Sequence, residues 1–191
     1  EAHLLAEGPD SVAAFIGEPI MGAGGAIVPP PEYWPMIEAI CRKYGVLLIL
    51  DEVITGFGRT GKRFALEHWN LRPDMLSLAK GVSSGYVPLG ASIITEEIYR
   101  DLVDKAPPGA PFPHGFTYNG HPVACVAALK NLEILEQERL IDQAMEVGAY
   151  FQERLRGFLE HPLVGDVRGL GLIAGIELVR DKASRERFEP I

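Results

Sequence analysis

Short apolar runs alternate with a helical pattern along the first half of the chain. The runs cover residues 12–16, 46–50, 75–79 and 91–94. Between the first two, apolar residues recur at helical spacing over residues 32–44, and Gly45 follows where a helix C-cap is expected. The run at 46–50 is apolar on both faces, which is typical of a parallel strand covered by helices. The pattern predicts an α/β fold with a mostly parallel sheet.

The second half of the chain has a different character. Helical patterns cover residues 122–137 and 140–158, and two strand patterns follow at 164–168 and 170–178. These strands indicate the start of a small α+β C-terminal domain, so we predict a large-domain portion at 1–137 and a second domain from 138 to 191. For the first helix, the predicted buried residues are Val123, Val126, Ala127, Leu129, Leu132 and Leu135.

Residues 106–120 are rich in proline and glycine, yet they also contain Phe112, Phe116 and Tyr118. So many helix and strand breakers argue against regular structure. The aromatic content argues against a solvated linker. We predict an ordered functional loop here.

Composition narrows the classes of function. The 191 residues carry 18 Lys and Arg against 26 Asp and Glu, a formal net charge of −8, which disfavours binding to a nucleic-acid backbone. The apolar runs are shorter than the roughly 18 residues of a membrane span, so no membrane association is predicted. Cys41 and Cys125 form no CxxC pair and lie near no histidine cluster, so we expect reduced thiols, no metal site and a cytoplasmic protein. The sequence begins without methionine and is interpreted as a piece of a longer protein.

Charged residues follow the first three apolar runs. Glu18 follows the first, Asp51 and Glu52 the second, and Lys80 the third. Ligands of open α/β sheets bind beyond the carboxyl ends of the strands, so these side chains are expected to converge at one edge. A desolvated lysine is a nucleophilic amine that can form a Schiff base with an aldehyde, and we expect this state for Lys80.

Each of these residues also has an ordinary structural explanation. Asp51 could cap a turn, Glu18 could do the same before Pro19, and Lys80 alone could be a surface lysine with a packed stem. The glycines at 22–25 are a weak phosphate-loop signal, and a P-loop nucleotide binder is disfavoured because no Gly-Lys-Ser/Thr follows.

Four segments together resemble the class III aminotransferases, most closely the omega-amino acid or amine:pyruvate type. They read EPIMGAGG at 18–25, LDEVITGFGRTG at 50–61, SLAKG at 77–81 and GFTYNGHP at 115–122. The resemblance continues through VRGLGLIAGIEL at 167–178, which is similar to small-domain strands of that family. It implies the aspartate-aminotransferase-like fold (type I) and a transaminase that uses pyridoxal 5'-phosphate.

The resemblance also implies roles for individual residues. Lys80 would form the Schiff base with the cofactor and move protons, and Asp51 would pair with the pyridinium nitrogen. Val53, two residues beyond Asp51 on the same strand face, would pack on the ring. Thr117 would donate its hydroxyl to the cofactor phosphate of a neighbouring subunit, which implies a homodimer with a shared site. Glu18 would lie near the ring.

Phe116 is a further cofactor-binding candidate beside Thr117. Two positions depart from relatives: Ile54 stands where many have a glutamine that contacts the cofactor, and Ala23 and Gly24 occupy the turn where ornithine-type enzymes carry a glutamate. The first departure means that this cofactor contact is absent or supplied from elsewhere, and the second argues against the ornithine type. The resemblance implies transfer of an amino group from an amine or omega-amino acid to a keto acid such as pyruvate.

Two alternatives stay open. One is an enzyme similar to glutamate-1-semialdehyde aminomutase, which shares the same cofactor motifs. The other is a catalytically incomplete fragment that acts only through dimer contacts. The resemblance places the phosphate-binding Gly-Ser segment and the substrate-carboxylate arginine outside these 191 residues. We therefore expect the fragment alone to be inactive.

Overall fold

The computed structural model describes residues 1–110 and 114–189, and within them a four-stranded sheet forms the centre of the first half of the chain. Its strands are β1 (Ala14–Gly17), β2 (Leu47–Asp51), β3 (Met75–Leu78) and β4 (Ala91–Ile94), in that spatial order. Strands β1, β2 and β3 are parallel, and β4 runs antiparallel to β3. The predicted α/β fold with a mostly parallel sheet is confirmed.

Three of the helices in the described residues follow the predicted periodicity, at 33–44, 122–137 and 140–156. The helices are α1 (Ala2–Glu7), α2 (Tyr33–Tyr44), α3 (Glu96–Asp104), α4 (Pro122–Gln137) and α5 (Leu140–Arg156). Gly45 ends α2 with a φ of 67°, the left-handed conformation that favours glycine at a C-cap. Glu138 and Arg139 separate α4 from α5, at the position where we predict the domain boundary.

The core lies between α2 and the sheet. Its buried residues are Trp34, Cys41, Val46, Leu48, Leu50 and Leu71. The Trp34 indole donates a hydrogen bond of 2.9 Å to the Pro19 carbonyl, so the one polar atom of this side chain is satisfied inside the core. A Cβ on Gly17 would lie 2.9 Å from the Trp34 ring, and glycine therefore lets α2 pack directly on the end of β1.

Asp74 joins β2 to the beginning of β3. Its Oδ2 accepts the Leu48 amide at 2.7 Å, and its own amide donates to the Leu48 carbonyl at 2.8 Å. Arg42 of α2 donates to both carboxylate oxygens of Asp74 at 2.8 Å. This charge-assisted contact, made by Nη1 alone, connects the helix to the two central strands.

The predicted buried face of α4 is wrong for four of its six residues, while Ala127 and Leu135 are half-buried. Val123, Val126 and Leu129 are 62%, 64% and 67% exposed, and Leu132 is also exposed. The buried residues are instead Ala124 and Ala128, since small side chains let the helix approach the rest of the chain closely. Periodicity identified an apolar stripe but could not show what covers it.

The loop at 106–120 is only partly described. Residues 111–113, which include Phe112, lie outside the described residues. Phe116 and Tyr118 are 74% and 81% exposed. The described parts, residues 106–110 and 114–120, contain no helix or strand.

Strands β5 (Val164–Leu170) and β6 (Ile173–Leu178) form an antiparallel hairpin whose turn packs on the loop that follows β2. Gly171 lies at its turn with a φ of 60°, and a Cβ there would be 2.5 Å from the Thr60 carbonyl carbon. Gly148 of α5 contacts the same turn, because its Cβ would lie 2.8 Å from the Gly171 Cα. The Leu172 amide donates to the Arg59 carbonyl at 2.9 Å. Glycine at both positions permits this approach.

No helix in residues 1–110 and 114–189 is both long and apolar enough to cross a membrane.

The glycine contact predicts an unusual substitution effect. Gly148→Ala would ordinarily stabilise a helix interior by about 1 kcal/mol. Here we expect a loss of about 1–3 kcal/mol, because the new methyl group overlaps Gly171. The matched control is Gly157→Ala, which adds a methyl group with nothing within 4 Å. Thermal melting of the full-length protein should separate the two variants, and equal melting temperatures would contradict the packing described.

Candidate active site

The parallel strands bring the predicted charged residues to one edge of the sheet. Gly17 of β1 is in register with Leu50, and Asp51 of β2 is in register with Ser77 of β3. Glu18, Asp51 and Lys80 therefore stand at or just beyond the carboxyl ends of three adjacent strands. This is the edge at which open α/β sheets bind ligands.

Lys80 begins a short 3-10 turn directly after β3 and has a φ of 46°. A left-handed lysine is strained, and such strain concentrates at functional sites. Its side chain is exposed, so the expected desolvation is wrong for this chain: the apolar run ends at Leu78, and the turn carries Lys80 beyond the sheet. Lys80 lines a cleft of about 330 Å³ together with Ile54, Phe57 and nine other residues.

The position after Lys80 has no room for a side chain, which explains why Gly81 stands there. A Cβ on Gly81 would lie 2.9 Å from the Phe57 Cβ, so no larger residue fits between the turn and the Phe57 side chain. Phe57 also packs edge-on against Phe64, with ring centroids 5.4 Å apart. The lysine turn therefore rests on the loop that follows Asp51.

Asp51 is half-buried at the last position of β2. Its Oδ1 accepts the Val53 amide at 3.0 Å, and Oδ2 accepts no hydrogen bond from the described part of the chain. The strand ends at Asp51, so the expectation that Val53 shares a strand face with it is wrong. An Asx-type turn places Val53 beside the carboxylate instead.

Glu18 holds the glycine turn that follows β1. Its Oε2 accepts the Gly22 amide at 2.9 Å. A Cβ on Gly22 would lie 2.4 Å from the Ile54 Cδ1, so Glu18, Gly22 and Ile54 lie next to one another. Glu18 supports the turn, and Ile54 presents an apolar surface to it.

Thr117 and Phe116 lie elsewhere on this chain. They line a separate cavity of about 410 Å³ with Pro88, Leu89 and Gly90. Neither of them lines the cleft at Lys80, and the lining of that cleft does not include Glu18, Asp51 or Val53 either. The structure therefore brings Glu18, Asp51 and Lys80 to one sheet edge and does not bring Thr117 or Phe116 into the Lys80 cleft.

Glu52 is a buried carboxylate that the sequence alone did not distinguish from its neighbour Asp51. It is 0% exposed. Its carboxylate accepts hydrogen bonds from the Thr55 hydroxyl at 2.5 Å and from the amides of Ala65 and Leu66 at 3.0 and 2.7 Å. Burial raises the pKa of Glu52, and these hydrogen bonds partly offset the rise. Leu48, Leu50 and Glu52 alternate with half-buried neighbours, and that period of two was the available signal.

Arg168 links the hairpin to the glycine turn. Its Nε donates to the Gly25 carbonyl at 2.7 Å, and its Nη1 pairs with Asp166 and Glu177 at 2.8 and 2.9 Å. The β5–β6 hairpin is thereby attached to the segment that also carries Glu18.

In the part of the chain that the structure describes, no group of three or more His, Cys, Asp or Glu side chains could hold a metal ion.

Comparison with known proteins identifies the family. The sequence profile of the class III aminotransferases matches residues 2–189, and the chain belongs to that family. It is 48% identical over its whole length to a diaminobutyrate–2-oxoglutarate transaminase of Halomonas elongata, covering 41% of that protein. It is 49% identical over 98% of its length to a putrescine–pyruvate aminotransferase of Pseudomonas aeruginosa, covering 41% of that protein as well.

Solved structures agree with this assignment. An (S)-enantioselective omega-transaminase from Thermomicrobium roseum matches 99% of the chain with a TM-score of 0.94 and 53% identity, over 42% of its own length. The omega-transaminase of Pseudomonas jessenii, solved in complex with PMP, matches with a TM-score of 0.95 and 47% identity, over 100% of this chain and 42% of its own. The fold is that of the pyridoxal-phosphate transaminases, and the chain spans about two fifths of the length of the relatives it matches.

The buried carboxylate predicts a specific stability defect. Glu52→Gln should cost about 1–3 kcal/mol, because both carboxylate oxygens accept backbone amides and a side-chain amide would face one of them with a second donor. The raised pKa of Glu52 favours the folded state most below its ordinary value of 4.5, and this contribution is lost as pH rises through the folded-state pKa. The melting deficit of the variant should therefore be largest below about pH 4.5 and shrink as the pH rises above it.

Glu146→Gln is the control for this measurement, since Glu146 is an exposed glutamate of α5 and is not among the groups that shift the pKa of Glu52. A Glu52→Gln protein that melts like the parent at every pH would show that the carboxylate does not hold the loop.

Proposed function

We propose that the full-length protein transfers an amino group from an amine or omega-amino acid to a keto acid such as pyruvate. The observation that carries this proposal is the placement of the Lys80 amine and the Asp51 carboxylate at the same edge of a parallel sheet. Membership of the family supports the reaction class. The site adds the carboxylate of Asp51 at the end of β2 and the amine of Lys80 after β3.

The residues present suit pyridoxal 5'-phosphate, the cofactor of the family. An aldehyde requires an accessible amine, and the Lys80 side chain is exposed in a cleft. A pyridinium nitrogen requires a carboxylate, and Asp51 keeps one oxygen unused within the described residues. When bound, the cofactor supplies the electron sink that stabilises negative charge on the substrate carbon.

The chain's own groups then have distinct tasks. Lys80 is the base and acid that takes a proton from one carbon and returns it to another through Nζ. Asp51 would pair with the pyridinium nitrogen and keep it protonated, and the Val53 amide fixes the orientation of this carboxylate. Val53 offers an apolar surface for the ring, and Glu18 fixes the neighbouring glycine turn.

Substrate choice is proposed from the surroundings of this edge. Ile54 and the Gly22 turn offer apolar and small groups beside the Glu18 carboxylate. Two relatives are named for diaminobutyrate and putrescine, donors that carry an amino group on a carbon without a carboxylate, which supports an amine or omega-amino acid as the donor.

We further propose a homodimer in which Thr117 and Phe116 complete the site of the neighbouring subunit. On this chain the two residues lie outside the Lys80 cleft. Phe116, Tyr118 and the outer face of α4 expose large apolar side chains, which is typical of a surface that another subunit covers. Both cysteines are free, which agrees with the reducing cytoplasm as the proposed compartment.

Trapping the cofactor tests the proposed function directly. The full-length protein should bind pyridoxal phosphate with a visible absorption band, and borohydride reduction followed by peptide mapping should find the label on Lys80. Lys80→Ala should lose the trapped label and on the order of 10²–10⁴-fold in rate, since it removes the proton-transfer group.

Lys62→Ala is the matched control, because Lys62 is an exposed lysine outside the cleft. Label on another lysine, or a Lys80→Ala protein with normal amine–pyruvate turnover, would contradict the proposal. The 191-residue segment alone is expected to give no turnover under the same conditions.

The shared site predicts complementation between subunits. Thr117→Ala should weaken cofactor retention by about tenfold, because one hydrogen bond to a charged phosphate is lost, whereas Thr117→Ser should retain it. Mixed dimers of Lys80→Ala and Thr117→Ala subunits should contain one site with both residues intact, and that site should hold cofactor as the parent does. Mixed dimers without such a site would place Thr117 and Lys80 in the same subunit's pocket.

A further inference from the structure

A single side chain of α4 holds the turn that follows Lys80. The Asn131 Nδ2 donates hydrogen bonds of 2.9 Å to the Gly81 carbonyl and 3.1 Å to the Val82 carbonyl. Its Oδ1 accepts the Ser84 hydroxyl at 2.7 Å. One amide group therefore contacts three of the four residues after the lysine.

The turn needs such support because its backbone is strained at both ends. Lys80 has a φ of 46° and Ser84 a φ of 49°, and both are L-residues in the left-handed region. Conformations of this kind persist when the surrounding structure fixes them. The backbone bond within the turn, from the Ser83 amide to the Lys80 carbonyl, is 3.2 Å long, so it is not a short, strong contact.

The Lys80 side chain has no such support of its own. Its Nζ makes no hydrogen bond or ion pair with any residue in 1–110 and 114–189, and the side chain is exposed. The backbone of the turn therefore sets where the side chain begins and the direction in which it leaves the chain, and the hydrogen bonds to that backbone hold this origin in place.

We propose that Asn131 is a positioning residue, which acts through the carbonyl groups of Gly81 and Val82 to place the Lys80 amine for its reaction. The proposal rests on the proposed function, and it concerns how the chain prepares that lysine. Asn131 contacts the turn and not the reacting atoms.

Asparagine has the chemistry that this position requires. Its NH₂ group carries two donors for two carbonyl groups, and its oxygen accepts a hydroxyl. Ala124 and Ala128 are the buried residues on the side of α4 that carries Asn131, and their small side chains let the helix approach the turn. Aspartate has nearly the same shape but only acceptors when ionised, so it would place negative charge against two carbonyl oxygens.

The test compares Asn131→Asp with the parent in the full-length protein loaded with pyridoxal phosphate. We expect the pH midpoint of the visible absorption of the lysine-bound cofactor to shift by about half a unit or more, the scale of a lost hydrogen bond. We also expect kcat to fall on the order of tenfold or more, with KM for the amine changed much less.

A second readout uses the protein without cofactor. Competitive acetylation followed by mass spectrometry measures the reactivity of the Lys80 amine relative to the exposed Lys62 at several pH values. A displaced turn should change the Lys80 ratio in Asn131→Asp and leave ratios among the other lysines unaltered.

Two further variants make the result decisive. Gln143→Glu is the matched control, since it removes a side-chain amide that donates to the Glu138 carbonyl, away from the turn. Ser84→Ala removes only the hydroxyl bond to Asn131 and should give a smaller change in the same direction. It also decides the question if Asn131→Asp does not fold.

Unchanged pH midpoint, kcat and Lys80 labelling in the Asn131 and Ser84 variants would overturn the proposal, as would equal changes in Gln143→Glu. The proposed function fails separately, if the parent traps no cofactor on Lys80. In that case the labelling ratios still decide whether Asn131 places the amine.

Discussion

The parallel pairing of β2 with strands on both sides is the constraint on which the site depends. Leu48 and Leu50 are completely buried, so the register of β2 cannot slip by one residue without exposing both. Asp74 adds side-chain and backbone bonds to Leu48 and holds β3 beside it. With the strands fixed in register, the residues after them meet at one edge regardless of their separation in the sequence.

The loop after β2 connects the strands, which are fixed in register, to the turn that carries Lys80. Buried Glu52 accepts the amides of Ala65 and Leu66 and so closes the loop on itself. The closed loop brings Phe64 against Phe57, and Phe57 lies against Gly81 directly after Lys80. A carboxylate with no access to solvent thus supports, through packing, the turn that carries the reactive amine.

That turn is fixed from two directions. Phe57 contacts it from the loop, and Asn131 bonds its carbonyl groups from α4. The hairpin adds a third connection at this end of the molecule, because Arg168 bonds the Gly25 carbonyl in the glycine turn that Glu18 also holds. Elements from both predicted domains therefore contact segments that border the site.

Much of this arrangement can be predicted from local patterns in the sequence. Apolar runs, helical spacing and the cap at Gly45 predicted the elements of the sheet and the long helices, because these depend on periodic burial and on local backbone preferences. The motifs around Asp51 and Lys80 indicated the family, which the comparisons confirm. The roles assigned to the individual site residues stay predictions.

Only the tertiary structure decided which face of each element is covered. The stripe of Val123, Val126 and Leu129 has the periodicity of a core, yet it faces outward because α4 packs through its alanines. Asp51 and Glu52 are adjacent acids, and the end of β2 turns one to the sheet edge and the other into the interior. Asn131 is 51 residues from Lys80 and meets its turn through hydrogen bonds to backbone carbonyls. Such long-range contacts leave no periodic signal, since any residue type has the same carbonyl group to offer.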